Sequence, residues 1–201
     1  LTGLTASRGL TIEQLAAQKF RLRPVIAEKV DGHRRAQATR AFNRTLFETG
    51  AGSIEVSPEV CFDFDQDRYS PNWYYEGAYK FRKHYFPLVG ELKSEGEEFD
   101  CAVFLDQLEA VKFWVRNLER RPDGSFWLQT ASDKFYPDFV ALLTDGRILV
   151  VEYKGEDRWS NDDSREKRAV GELWADRSQR RCLFIMPKGP DLAAIEAKVT
   201  G

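Results

Sequence analysis

Three charged residues, Asp138, Glu152 and Lys154, have the types and spacing needed for chemistry on a bound ligand. They lie at the two ends of one stretch, YPDFVALLTDGRILVVEYKG, whose interior is mostly apolar. Two carboxylates that meet in space can share a ligand, and a nearby lysine adds a mobile positive charge with three donors. Whether the three side chains converge depends on how the residues between them fold.

The interior of this stretch is predicted to be a β-hairpin. The runs Phe139–Leu143 and Ile148–Val151 are apolar and rich in branched residues, and Asp145-Gly146 between them is a typical hairpin turn. In an antiparallel pair closed at this turn, Asp138 lies seven residues before it and Glu152 lies six residues after it. The two carboxylates are therefore expected nearly opposite each other.

Side-chain alternation points Glu152 and Lys154 to one face of the second strand, and Val151 and Tyr153 to the other. Glu152 directly continues an apolar run, and an ionised carboxylate on a buried strand needs a compensating cation or partner. A purely structural Glu152–Lys154 pair is therefore the alternative interpretation. It leaves Asp138 without a role.

The elements that must position these residues are predicted after Gly90. A helix is expected over 94–108, with Ser94 as its N-cap, Glu97 at the capping-box position and Glu98 at the edge of its apolar face. The remaining elements are strands at 111–118 and 125–130, the hairpin, a helix at 163–177 that carries Lys167, a strand at 182–187 and a terminal helix.

Residues 1–86 contain no catalytic grouping and are predicted to be a mainly helical connector or supporting segment. The pattern is helical from Thr11 to about Thr49. The many aromatic residues of 71–87 are of a kind that more often covers a core or an interface than stacks on bases. Residues 87–201 are predicted to form the functional domain.

Composition excludes several classes of protein. The chain has 30 basic and 32 acidic residues and a net charge of -2, which gives no global electrostatic case for nucleic-acid binding. Positive charge is concentrated locally at 33–44, 111–121 and 177–181. No apolar run approaches the length of a membrane span, and no signal peptide is evident.

Other catalytic motifs are missing from the sequence. Three widely spaced cysteines without a Cys-x-x-Cys pair argue against a disulfide framework and a zinc knuckle, and favour the reducing cytoplasm. There is no G-x-x-x-x-G-K-[ST] and no G-x-S-x-G. The two histidines, His33 and His84, lie outside the hairpin, so Ser-His or Cys-His catalysis lacks a base.

These residues together resemble the PD-(D/E)xK nuclease superfamily. The resemblance rests on Glu98 in the first helix, Pro137-Asp138 opening a strand, Glu152-Tyr153-Lys154 in the next strand, and a helix with Lys167 before the last strand. More narrowly, FYPDFVALLTDGRILVVEYKG, preceded by VRN and SFWLQT, resembles the C-terminal endonuclease domain of type III restriction enzyme Res subunits and helicase-like restriction proteins. It covers about residues 94–190.

The resemblance implies a restriction-endonuclease-like core with a mixed sheet of three to four strands in αβββαβ order, and a Mg²⁺-dependent DNA endonuclease. Asp138 and Glu152 would hold Mg²⁺, for which Mn²⁺ can substitute, with Glu98 reaching it directly or through water and the Tyr153 carbonyl adding a ligand. Lys154 would stabilise charge at the attacking water or the scissile phosphate. Lys167 would contact a phosphate, unless it is only a surface lysine.

The resemblance also implies DNA as substrate and a helicase-like motor upstream, as a region of the same chain or as a subunit. The chain begins with Leu, and we expect its helical first half to continue something that precedes it. The alternative function is a catalytically inactive module of nuclease fold that binds DNA or a protein partner. Retention of Asp138, Glu152 and Lys154 disfavours that alternative.

Overall fold

The computed structural model describes residues 18–21, 23–30, 33, 66–121, 124–131, 133–155, 159 and 161–201. The chain divides into two compact units, Leu1–Ala51 and Gly52–Gly201. Within the first unit, residues 19–21, 23–30 and 33 are helical. The rest of the predicted helical segment from Thr11 to Thr49 lies outside the described residues.

The second unit contains both helices and strands. Its described elements are, in chain order, a 3₁₀ helix Gln66–Arg68, α1 Glu97–Gln107, β1 Val111–Arg116, β2 Leu128–Gln129, β3 Lys134–Phe135, β4 Phe139–Leu143, β5 Ile148–Val151, α2 Asp162–Arg177, β6 Cys182–Ile185 and α3 Ala193–Thr200. Strands β2 and β3 form a separate two-stranded ribbon. Among the described residues, no helix has both the length and the hydropathy needed to cross a bilayer.

The main sheet contains four strands in the order β1-β4-β5-β6. Strand β4 pairs antiparallel with β1 and with β5, and β5 pairs parallel with β6. A parallel pair cannot be joined by a tight turn, and α2 supplies the crossover between β5 and β6. The prediction of an α/β fold with a mixed sheet of three to four strands and flanking helices is confirmed.

The hydrophobic core occupies both faces of this sheet. On one face, Phe139 and Val151 of the central strands join a cluster with Leu105 of α1 and Ile195 of α3. On the other face, Gly171 lets α2 approach the ring of Phe184 on β6, because a Cβ at this position would collide with the ring. Burial on both faces explains why β4 and β5 are almost continuously apolar.

The strand predicted at 125–130 does not join the main sheet, and only Leu128–Gln129 is extended, paired with Lys134–Phe135. The reason is the side chain of Asn117. Its Nδ2 donates to the carbonyls of Phe126 and Pro137, at 2.8 and 2.7 Å, and its Oδ1 accepts from the Phe126 amide at 2.9 Å. A side chain therefore takes the place of a neighbouring strand.

The predicted N-cap of α1 at Ser94 is wrong. The helix begins at Glu97, after Gly96, and no side chain caps it. Gly96 has φ 96, in the left-handed region that favours glycine, so the backbone itself turns the chain into the helix. Acidic residues in the first turn, including Glu98, complement the positive end of the helix dipole.

The aromatic-rich segment packs on the core instead of standing apart from it. Tyr75 and Phe81 lie against the cluster below α1, and the ring of Phe81 is 5.2 Å from that of Trp114. Phe86 is buried with Tyr69 in a second cluster. The expectation that these aromatic residues cover a core is confirmed for these members.

Candidate active site

Asp138 and Glu152 lie opposite each other at the end of the β4–β5 hairpin. Phe139 pairs with Val151, which makes Asp138 and Glu152 the next opposed positions in the same register. Strand β4 begins immediately after Asp138, and β5 ends immediately before Glu152. The hairpin register predicted from the sequence is therefore confirmed.

Glu152 and Lys154 form an ion pair on one face of the sheet, with 2.9 Å between Oε1 and Nζ. Glu152 is only 3% exposed. Burial, reinforced by the negative charge of Asp138, raises the pKa of Glu152 well above its ordinary value, against the opposing effect of Lys154. Burial alone would lower the pKa of Lys154, but the carboxylates of Glu152 and Asp138 outweigh it and raise that pKa.

Asp138 is held on both of its carboxylate oxygens. Oδ2 accepts from the backbone amide of Tyr153 at 2.7 Å, and Oδ1 accepts from Nη1 of Arg116 at 2.9 Å. The same Nη1 also donates to the Asp138 carbonyl at 2.8 Å. Because Tyr153 lies beside Glu152, the first of these bonds ties Asp138 directly to the chain that carries the second acid.

Glu98 reaches the same place from α1, through Arg116. Its Oε2 lies 2.8 Å from Nη2 of Arg116, and its side chain is 50% exposed. Burial raises the pKa of Glu98, while the Arg116 guanidinium opposes that rise. The guanidinium therefore bridges Glu98 and Asp138, and all three side chains form one charged cluster at the end of the sheet.

Arg116 is the site residue that the sequence analysis missed. The sequence places it only within the basic run 111–121. It reaches Asp138 because β1 pairs with β4 so that Arg116 lies opposite Phe139, and its guanidinium lies 5.2 Å from the centre of that ring. The pairing of β1 with β4 spans residues distant in sequence. Neither periodicity nor a turn signal fixes its register.

All of the predicted site residues line one cavity of about 590 Å³. Lys167 enters it from α2, where it pairs with Asp163 at 2.8 Å and lies 5.5 Å from the ring centre of Phe135. Tyr153 contributes its backbone, because its side chain belongs to the core cluster. The lining includes ten acidic and six basic side chains, so the cavity attracts cations more than anions when all are charged.

Carboxylate and carbonyl oxygens are the donors that Mg²⁺ prefers, and Asp138, Glu152 and the Tyr153 carbonyl supply that chemistry. No group of three or more histidine, cysteine or acidic side chains converges as a ready metal site within the part of the chain that the structure describes. Glu98 is engaged with Arg116 instead. The donor set therefore fits an ion held by two carboxylates, with Glu98 outside its immediate reach.

No protein-family model, curated protein or solved structure matches the chain. The case for a function rests on the residues of this cavity.

Proposed function

We propose that the chain is a Mg²⁺-dependent DNA endonuclease that hydrolyses phosphodiester bonds. The observation that carries the proposal is the meeting of Asp138 and Glu152 at the ends of adjacent strands, with Lys154 paired to Glu152 in the same cavity. The order of helix, three antiparallel strands, helix and parallel strand in the main sheet supports the restriction-endonuclease-like core implied by the PD-(D/E)xK resemblance.

Asp138, Glu152 and the carbonyl of Tyr153 would hold the ion, and Glu98 would act on it through water. When bound, Mg²⁺ supplies a water of lowered pKa and stabilises negative charge on the phosphoryl and leaving oxygens. The bond from the Tyr153 amide already orients Asp138. A hydrogen bond of this kind orients a ligand before the ion arrives.

Lys154 would stabilise the negative charge that develops at phosphorus. As water adds to the phosphorus atom, the bond to the leaving sugar oxygen breaks and that oxygen takes up a proton. The ion pair with Glu152 holds the ammonium of Lys154 in the cavity, so it is in place before a phosphate enters. Lys167 would contact a neighbouring phosphate after leaving Asp163.

The isolated chain is expected to have a low affinity for DNA. A net charge of -2 and the acidic lining of the cavity oppose the approach of a polyanion, whose non-specific affinity depends on phosphate neutralisation. We infer that an upstream helicase-like region or subunit delivers the DNA. Arg34, Arg35, Arg40 and Arg44, which suggested a connection to such a motor, lie outside the described residues.

A second candidate function is supported by the ion pairs themselves. Each proposed acidic residue already has a basic partner, Arg116 for Glu98 and Asp138, and Lys154 for Glu152. A cluster neutralised in this way can serve structure alone. The chain would then be a catalytically inactive module of nuclease fold that binds DNA or a protein partner.

Cleavage of supercoiled plasmid by the purified chain tests the proposal. We expect nicked and linear products with Mg²⁺ or Mn²⁺ and none with EDTA. Calorimetric titration with Mn²⁺ separates the two candidates, because the inactive module binds no metal at Asp138 and Glu152. Metal-independent cleavage, or no cleavage at protein concentrations high enough to saturate the DNA, would exclude the endonuclease.

The matched control for the acidic residues is Glu119→Gln. Glu119 lines the same cavity and is exposed, and no described hydrogen bond or ion pair joins it to Asp138, Glu152 or Lys154. Asp138→Asn, Glu152→Gln and Lys154→Met should each remove cleavage, whereas Glu119→Gln should retain metal dependence. Loss of cleavage in all four variants would indicate a general effect of cavity charge instead of specific catalysis.

A further inference from the structure

The guanidinium of Arg116 is bound to two of the acids that a metal site would use. Its Nη1 and Nη2 contact Oδ1 of Asp138 and Oε2 of Glu98, at 2.9 and 2.8 Å. These are oxygen atoms of the proposed metal ligand Asp138 and of the acid proposed to support it. A guanidinium and a metal ion that share one carboxylate oxygen each bind it more weakly than either would alone.

The third nitrogen of the Arg116 guanidinium is left without a hydrogen bond to the described part of the chain in this arrangement. Nε is buried and has no hydrogen-bond partner among the described residues. A buried donor without a partner disfavours the conformation that leaves it so. The guanidinium is therefore held through Nη1 and Nη2, and its Nε gains no described hydrogen bond from the present position.

Burial and charge indicate what the guanidinium contributes. The Arg116 side chain is 13% exposed, and it packs against the ring of Phe139 while neutralising two acids at the end of the sheet. Without a divalent ion or the guanidinium, Asp138 and Glu98 would be like charges in one partly buried place. An arginine that bridges two carboxylates with separate nitrogens relieves that repulsion.

We propose that Arg116 is an internal counter-ion that competes with the divalent cation for Asp138 and Glu98. Metal binding then requires the guanidinium to release at least one of these carboxylates, and the metal affinity of the chain is set partly by Arg116. This inference rests on the proposed metal-dependent function. It goes beyond that function by assigning a positioning role, and a control of metal affinity, to a residue outside the motif.

The decisive measurement is Mn²⁺ affinity by calorimetry, without DNA, for wild type, Arg116→Gln, Arg116→Lys and Arg121→Gln. Arg121 is a close match for Arg116, because it is partly buried, pairs with Glu91 at 3.0 Å and also has a buried Nε without a partner among the described residues. It does not contact Asp138 or Glu98 in any described bond. Arg121→Gln therefore controls for the loss of a partly buried arginine.

Competition predicts that Arg116→Gln binds Mn²⁺ more tightly than wild type, on the order of tenfold, because a competing charge has been removed. Arg116→Lys should lie between the two, since a lysine cannot bridge both carboxylates. Arg121→Gln should bind Mn²⁺ as wild type does. A purely structural Arg116 predicts the opposite order, since loss of its support for Asp138 would weaken binding.

The outcomes separate this inference from the proposed function. Tighter Mn²⁺ binding by Arg116→Gln than by wild type supports the inference. If Arg116→Gln binds Mn²⁺ and wild type does not, the inference still stands, but the proposed function of the wild-type chain fails. Equal or weaker binding by Arg116→Gln, with measurable binding by wild type, overturns the inference and leaves the proposed function standing. Absence of binding in every variant overturns both.

A second measurement needs no glutamine variant and decides the matter if Arg116→Gln does not fold. In wild-type protein with ¹⁵N-labelled arginine, the Arg116 side-chain resonance, assigned by its loss in Arg116→Lys, should shift on titration with Mg²⁺. The Arg121 resonance serves as the internal reference and should not move. An Arg116 resonance that stays unchanged at saturating Mg²⁺ would overturn the competition.

Discussion

Two buried carboxylates in this fold, Asp106 and Glu152, are held in different ways. Asp106 is 4% exposed and is surrounded by neutral donors, which are the hydroxyl of Tyr79, the backbone amides of Arg82 and Lys83 and the indole of Trp114. Glu152 is 3% exposed, yet its partner is the ammonium of Lys154 within a cavity. Burial is thus nearly equal, and the donors differ.

The difference teaches that the type of donor separates a structural acid from a candidate functional one. Backbone amides and an indole cannot leave, so Asp106 fixes the segment before α1 against β1. A lysine side chain can move, so the Glu152 carboxylate can exchange its partner for a metal ion or a substrate group. Burial alone does not distinguish Asp106 from Glu152, because both side chains are almost fully buried.

The largest expected effect is a loss of cleavage activity in variants of the two site acids but not in a variant of Asp106. We expect Asp138→Asn and Glu152→Gln to reduce the cleavage rate on the order of 10³-fold or more, as removal of a catalytic group does. Asp106→Asn should keep a near wild-type rate per folded molecule. Plasmid cleavage at matched concentrations of folded protein measures this, and equal losses in the Asp106 and Glu152 variants would erase the distinction.

Stability should show the reverse order. Asp106→Asn presents an amide nitrogen to several donors and should lower the free energy of unfolding by about 3 kcal/mol. Glu152→Gln replaces a carboxyl group whose raised pKa keeps it mostly protonated at pH 7, so its loss of stability should be much smaller. Urea denaturation at pH 7 without metal measures both values, and a larger loss for Glu152→Gln would contradict the comparison.

The pH dependence of stability should sharpen the contrast further. Burial raises the pKa of Glu152 from 4.5 to about 8, so folding favours its protonated form. The contribution of Glu152 to the free energy of unfolding is complete below pH 4.5 and is lost as the pH rises towards 8. Between these values the folded state binds more protons than the unfolded state. We expect wild type to lose roughly 4 kcal/mol relative to Glu152→Gln across that window.

Denaturation curves for both proteins at a series of pH values, without metal, provide the test. Lys154 stays charged throughout this range, so it does not contribute to the difference in slope. Saturating Mn²⁺ should flatten the wild-type curve, because a cation favours the ionised carboxylate. Parallel curves for wild type and Glu152→Gln would show that Glu152 does not titrate differently on folding.

The smallest effect concerns DNA. The isolated chain should bind duplex DNA with a dissociation constant of roughly 10⁻⁴ to 10⁻⁶ M at physiological salt and little sequence preference. Lys167→Gln should weaken this binding a few-fold, since about one phosphate contact is lost. Fluorescence anisotropy measures both, and a sub-micromolar, sequence-selective affinity would refute dependence on an upstream motor.

Local sequence patterns were sufficient to predict the hairpin and its acids. The predicted runs coincide with β4 and β5, Phe139–Leu143 and Ile148–Val151, and the turn between them fixes the register that makes Asp138 and Glu152 opposite. Side-chain alternation also places Glu152 and Lys154 on one face, as their ion pair requires. Each of these features depends on residues that are close in sequence.

Features that depend on distant residues were not predictable in this way. Arg116 meets Asp138 only through the register between β1 and β4, and Asn117 replaces a strand partner only because Phe126 and Pro137 come within reach. Ser94 has the residue type of an N-cap, but the helix begins only after Gly96 turns the backbone. Tertiary contacts decided all three.

The local character of the β4–β5 hairpin has a consequence for how the protein folds. Asp138 and Glu152 are joined by a short loop closure, whereas Arg116 is 22 residues from Asp138 and β6 pairs with β5 only after α2 has been traversed. Hairpins close in about 1–10 μs, ahead of more distant contacts. We therefore expect the two acids to meet while water still surrounds them and screens their repulsion. The neutralising arginine and the edge strand β6 are expected to join afterwards.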